Sequence, residues 1–173
     1  MLRASGREVP KKYIPTVGID TGTYRCQAKN FYVTIKMWDV SGDTRFGVIA
    51  KNFFRDSSFI LFCFDLSRPE TFEGVKYYVN KVKEASDGKL YTSCVVGIKK
   101  DKASSNINTQ LFKEYSESIS ATYYEVDTNI EPDVIFLMHS IAKDGVSGGI
   151  FQYDNPCESE DDETVSSTNC CYM

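Results

Sequence analysis

Val33, Ile35 and Met37 alternate with Tyr32, Thr34 and Lys36, the period-2 signature of a strand with one buried face. With Tyr24 to Cys26 ahead of it and a turn at Ala28-Lys29-Asn30, this stretch predicts a hairpin reaching Trp38. Phe59 to Phe64 is a continuous apolar run, as a central parallel strand covered on both faces shows. Phe72, Val75, Val79 and Val82 then form one helical stripe that stops before Gly88. Ser67 and Glu70 have the spacing of a capping box, with Pro69 tolerated in the first turn. Ser93 to Gly97 predicts another short buried strand, Leu111, Tyr115 and Ile119 a second helix, and Tyr123 to Val126 a strand. Val134, Leu137, Met138 and Ile141 predict a last helix that begins after Asn129 and ends at Gly145. A hairpin followed by βαβαβα is the pattern of an α/β, doubly wound sheet.

The length of 173 residues and the 42% hydrophobic content suit one domain with a real core. No apolar stretch approaches the roughly 20 residues of a membrane span, and residues 1–12 are too polar for a signal peptide. From Val146 to Met173 there are six acids and no Lys or Arg, leaving 20 bases against 18 acids before it. That balance gives no nucleic-acid footprint. Gly148-Gly149, Pro156 and the acidic Ser/Thr run predict a flexible tail over residues 146–173, after a domain over residues 1–145. Ser159, followed by Glu160, Asp161 and Asp162, has the context of an acid-directed phosphorylation site. Cys26, Cys63 and Cys94 fall in strand-like runs and read as buried thiols.

Tyr13-Ile14-Pro15-Thr16-Val17-Gly18, Trp38-Asp39-Val40-Ser41-Gly42 and the terminal Cys170-Cys171-Tyr172-Met173 resemble the motifs of Rab-type small GTPases of the Ras superfamily. The resemblance continues through Asn52 to Asp56, Phe64-Asp65, Thr71-Phe72-Glu73 and Val96-Gly97. It implies a P-loop NTPase-like, Ras-type fold, with GTP/GDP and Mg²⁺ as cofactors and trafficking effectors or regulators as partners. Thr16 and Asp39 stand where the family binds Mg²⁺, and the Gly42 amide where it meets the γ-phosphate. Lys99 and Asp101 stand in the guanine-reading NKxD motif. The paired terminal cysteines, which also satisfy C-a-a-X, imply prenyl attachment at Cys170 and Cys171 to the cytoplasmic face of an intracellular or plasma membrane.

Several positions depart from the family pattern. Asp43 replaces the glutamine that orients the attacking water, so no catalytic residue is assigned. Ile98 replaces the NKxD asparagine, and Asp127-Thr128-Asn129 replaces the SAK motif. No GxxxxGK[ST] loop occurs in the sequence. The domain is therefore expected to be truncated at its N-terminus, lacking the first strand and phosphate loop and leaving two central strand edges unpaired. Each orphan backbone group there costs on the order of 1–3 kcal/mol. Two readings stay open: a shortened form of a Rab-like GTPase whose missing elements lie upstream of Met1, or a pseudo-GTPase that works as a membrane-tethered binding module.

Overall fold

The computed structural model describes residues 1–12, 14–89, 91–150 and 166–172. Ser159, the acidic run and Met173 lie outside the described residues, as does Tyr13. Strand β1 (Ile19–Ala28) and strand β2 (Phe31–Val40) form the hairpin, in register from Ile19 opposite Val40 to Ala28 opposite Phe31. The hairpin is longer than the alternation predicts because β1 keeps pairing past its weakly patterned start. Its two-residue turn places Lys29 at φ +55°.

Helix α1 (Gly47–Asp56), strand β3 (Phe59–Asp65), helix α2 (Phe72–Ser86) and strand β4 (Thr92–Ile98) follow. Helix α3 (Gln110–Ser118), strand β5 (Thr122–Val126), helix α4 (Glu131–Ser147) and strand β6 (Ser166–Tyr172) complete the described elements. Among the described residues, six strands form one sheet in the order β1-β2-β6-β3-β4-β5. Only the β1–β2 pair is antiparallel; β2, β6, β3, β4 and β5 all run the same way.

Alternation along β3 divides the core in two, as a strand buried on both faces requires. Phe59 and Leu61 join Val33, Ile35, Met37 and Val96 under α4, which contributes Leu137, Met138 and Ile141. Ile60, Phe62 and Phe64 face the other way, onto Ala50 and Phe54 of α1, Val75 and Val79 of α2, and Phe112 of α3. On the α4 face, Met1 and Ala4 also pack against the core. Gly22 of β1 permits this: a Cβ there would lie 2.6 Å from Met1 Sδ.

Three expectations are corrected. The central edges of β2 and β3 are not left open, because β6 lies between them and pairs with both. The seven residues of β6 come from Ser166–Tyr172. The Ser67/Glu70 capping box does not form: the Ser67 hydroxyl donates to Asp65 Oδ1 at 2.6 Å, and a 3₁₀ turn over Pro69–Thr71 leads into α2. In α3 the buried face carries Phe112 and Ser116, while Leu111 is 58% exposed. Phe112 wins because its ring reaches Phe64 and Phe72, with centroids 4.6 and 4.7 Å away. Helix α1 has no counterpart in the predicted pattern. It is set by tertiary packing, with Phe53 against Trp38 at 4.9 Å and Phe54 edge-on to Tyr78 at 6.3 Å.

Candidate functional site

Because β2, β6, β3, β4 and β5 are parallel, their carboxyl ends share one edge, the edge on which open α/β sheets bind ligands. Along it lie Asp39 at the end of β2, Tyr172 of β6, Asp65 of β3, Lys99 just past β4 and Asp127 just past β5. Strands β2 and β4 stand three spacings of about 4.8 Å apart, roughly 14 Å in all. A ligand touching the ends of β2 and β4 must be of about that length.

At the β2 end, the Thr16 hydroxyl donates to Asp39 Oδ2 at 3.0 Å. The two residues assigned to Mg²⁺ are 23 positions apart in sequence and meet here. Burial raises the Asp39 carboxyl, and the Thr16 hydrogen bond opposes that shift. A hydroxyl and a carboxylate at one point are the hard oxygen donors that Mg²⁺ accepts alongside phosphate oxygens. The donor set therefore fits that ion.

The loop after β2 is pinned from behind, the buried Tyr78 hydroxyl donating to the Ser41 carbonyl at 3.0 Å. Gly42 is exposed, and a Cβ on it meets nothing within 4 Å. Asp43 next to it accepts from the backbone N–H and from the guanidinium of Arg45. That pairing lowers the Asp43 carboxyl and meets its charge with a cation, an arrangement sequence spacing alone does not announce.

At the β4 end, Lys99 adopts φ +58°, a left-handed conformation unfavourable for a residue with a Cβ. Such residues persist where surrounding contacts hold them, often at functional sites. Its ammonium donates to Asp65 Oδ2 at 2.7 Å. Asp65 also accepts from the Ser67 N–H at 2.9 Å and Arg68 Nε at 3.1 Å. Burial alone raises the Asp65 carboxyl, but the bonds from Lys99, Ser67 and Arg68 outweigh it and hold it well below the usual carboxylate range. Asp101 accepts a long 3.4 Å bond from the Asn129 amide. Asp127 is buried, and its Oδ1 accepts the Asn129 N–H at 2.8 Å, closing a turn into α4. The Arg3 guanidinium donates to the Thr128 carbonyl at 2.8 Å, tying the N-terminal segment to this loop.

Sequence reasoning missed Asp65 as a member of the site. The available signal was an acid ending a wholly apolar strand run, with Ser67 two residues on. Asp65→Ala is expected to cost about 2–4 kcal/mol at pH 7, since it removes the ion pair with Lys99 and several other charge-assisted bonds. The folded carboxyl titrates below its ordinary value of about 3.9, so its contribution is present above that pH. It is lost as pH falls through the depressed folded value. Urea denaturation should show the gap between variant and wild type narrowing below about pH 4; a gap independent of pH would contradict the assignment.

The edge fits a nucleotide unevenly. Asp101 is an acceptor suited to ring N–H donors, whereas Ile98 offers the base no polar atom and Lys99 is turned to Asp65. For the phosphates, a run of backbone N–H groups with a lysine is the usual cradle, and no GxxxxGK[ST] occurs in the sequence.

A family model described as "Ras family" matches residues 1–144. The GTP-binding protein ypt1 of Schizosaccharomyces pombe is 24% identical over 182 residues, covering 99% of this chain and 88% of that protein. The GTP-binding protein YPT1 of Saccharomyces cerevisiae is 26% identical, over 85% of this chain and 73% of its own length. The Ras-related protein Rab-27B of Rattus norvegicus is also 26% identical, over 83% and 72%. With the family match running through every described element but the end of α4 and β6, the chain belongs to the Ras family, and its sheet is the Ras-type α/β fold.

Proposed function

We propose that this chain is a Rab-like member of the family, acting in vesicle trafficking or signalling at the cytoplasmic face of a membrane, with impaired nucleotide binding and hydrolysis. The observation that carries the reading is the meeting of Thr16 and Asp39 at 3.0 Å on an edge where the remaining nucleotide-reading side chains have internal partners. Lys99 is directed to Asp65, Asp101 to Asn129 and Asp43 to Arg45. Mg²⁺, when bound, supplies positive charge to phosphate oxygens. Thr16 and Asp39 would hold it, and the Gly42 N–H would face a terminal phosphate. Asp43 has no amide hydrogen with which to orient a water. Cys170 and Cys171 are proposed as the prenyl sites, with trafficking effectors or regulators as the protein partners.

The second reading is a nucleotide-independent pseudo-GTPase that presents the surface around Ile14 and Val17 to a protein partner. These side chains are 70% and 80% exposed, and the exposure favours a docking role that needs no nucleotide.

Asp39→Asn tests the metal assignment. A carboxyl raised by burial is held in its charged form at a cost to the fold at pH 7, and that cost grows as pH rises through the folded value. The neutral isostere is therefore expected to melt at a higher temperature than wild type without ligand. It is also expected to lose any Mg²⁺-dependent increment in melting temperature with added GTP. A variant that keeps the increment would remove Asp39 from the site.

A further inference from the structure

Strand β6 is one of the two central strands of the six-stranded sheet formed by the described residues, yet its sequence is far less apolar than that of β3, the other. It pairs with β2 from Val33 opposite Ser166 to Asp39 opposite Tyr172, and with β3 from Phe59 opposite Cys170 to Leu61 opposite Tyr172. The flanking residues Ile35, Phe59, Ile60 and Leu61 are completely buried. A strand in such surroundings ordinarily reads as β3 does, Phe-Ile-Leu-Phe-Cys-Phe. The occupant instead reads Ser-Ser-Thr-Asn-Cys-Cys-Tyr, in which Ser166 to Tyr172 pair with β2 and Cys170 to Tyr172 pair with β3 as well. Its pairing with β3 covers three positions, against seven between β3 and β4.

We propose that β6 is a releasable occupant of the slot between β2 and β3, and that its exit controls lipid attachment at Cys170 and Cys171. The lipid half rests on the reading of these cysteines given under Proposed function. Cys170, Cys171 and Tyr172 are paired with Met37, Trp38 and Asp39 on one side and with Phe59, Ile60 and Leu61 on the other. A backbone held on both sides has no free edge to lay into an enzyme's groove. Prenyl transfer joins the cysteine sulfur to C1 of an isoprenyl diphosphate, with diphosphate and the thiol proton leaving. The strand must come out for that bond to form. Its ladder to β3, three positions long, lowers the barrier to exit, and the open slot it leaves is an edge competent to accept another strand.

The test compares the full chain with a synthetic peptide of residues 166–173, using purified farnesyltransferase and farnesyl diphosphate, alongside hydrogen exchange on the unlabelled chain. The peptide is expected to be labelled at least tenfold faster than the chain. Thr168→Pro, which removes a ladder N–H and is excluded from central strands, is expected to bring the chain to the peptide's rate and to speed exchange at 33–37 and 59–61. Thr168→Val, a near-isosteric change that favours the strand, is expected to slow labelling further and keeps the test valid if the proline variant fails to fold. Equal labelling of chain and peptide, with amides 166–172 exchanging at free-peptide rates, would overturn the proposal. An unlabelled peptide would overturn the lipid reading and the control of attachment with it. In that case slow exchange over 166–172 would still uphold the insertion of the strand.

Discussion

Replacing both Cys170 and Cys171 by serine is expected to move the protein from the membrane fraction to the soluble fraction of cells, whereas either single replacement leaves weak, partial association. The reason lies in how little else the chain offers a bilayer. Among the described residues no helix is long and apolar enough to cross a membrane. Residues 146–173 carry six acids and no base, so anionic headgroups repel the segment that carries the cysteines. The usual attraction of about 1 kcal/mol per basic residue is missing. One lipid chain gives only marginal, reversible binding, and stable anchoring takes two signals. With no base in residues 146–173, the proposed anchor takes its second signal from the second lipid. Fractionation of cells expressing the two single variants, the double variant and the wild type checks this; a double variant as membrane-bound as wild type would remove the lipid anchor.

The parts of the fold that could be read from the sequence are those where one chain segment carries its own pattern. The run Phe59 to Phe64 announces a strand covered on both faces, and the stripe Phe72, Val75, Val79, Val82 announces α2, because each element's burial is set by the sheet it packs on. The place of helix α1 depends on contacts with Trp38 and Tyr78, far from it in sequence. Strand β6 was illegible for a stronger reason: Ser-Ser-Thr-Asn-Cys-Cys-Tyr lacks the continuous apolar run of β3, and its place comes from pairing with β2 and β3. At the site, the motifs assign Thr16 and Asp39 to one ion, and the two side chains meet at 3.0 Å. They did not reveal that Lys99 would turn to Asp65, 34 residues away on the neighbouring strand, since ion pairs between strands leave no mark in local spacing.

Nucleotide affinity is the largest effect the account predicts. A phosphate cradle supplies several backbone N–H bonds and a lysine to a strongly anionic ligand, and charge-assisted bonds of this kind contribute about 1.5–3 kcal/mol each. Losing even three of them weakens binding by roughly 10³-fold or more at 1.4 kcal/mol per decade. Ile98 adds an unmet polar edge on the base, worth about another 1–3 kcal/mol. Recruiting Lys99 to the base would also mean breaking its bond to the buried Asp65 carboxylate. The Thr16–Asp39 pair, proposed for the metal, does not replace any of these. Isothermal titration of the 173-residue chain with GDP in the presence of Mg²⁺ tests this most directly: binding no tighter than high micromolar is the predicted result, and a submicromolar dissociation constant would contradict the account.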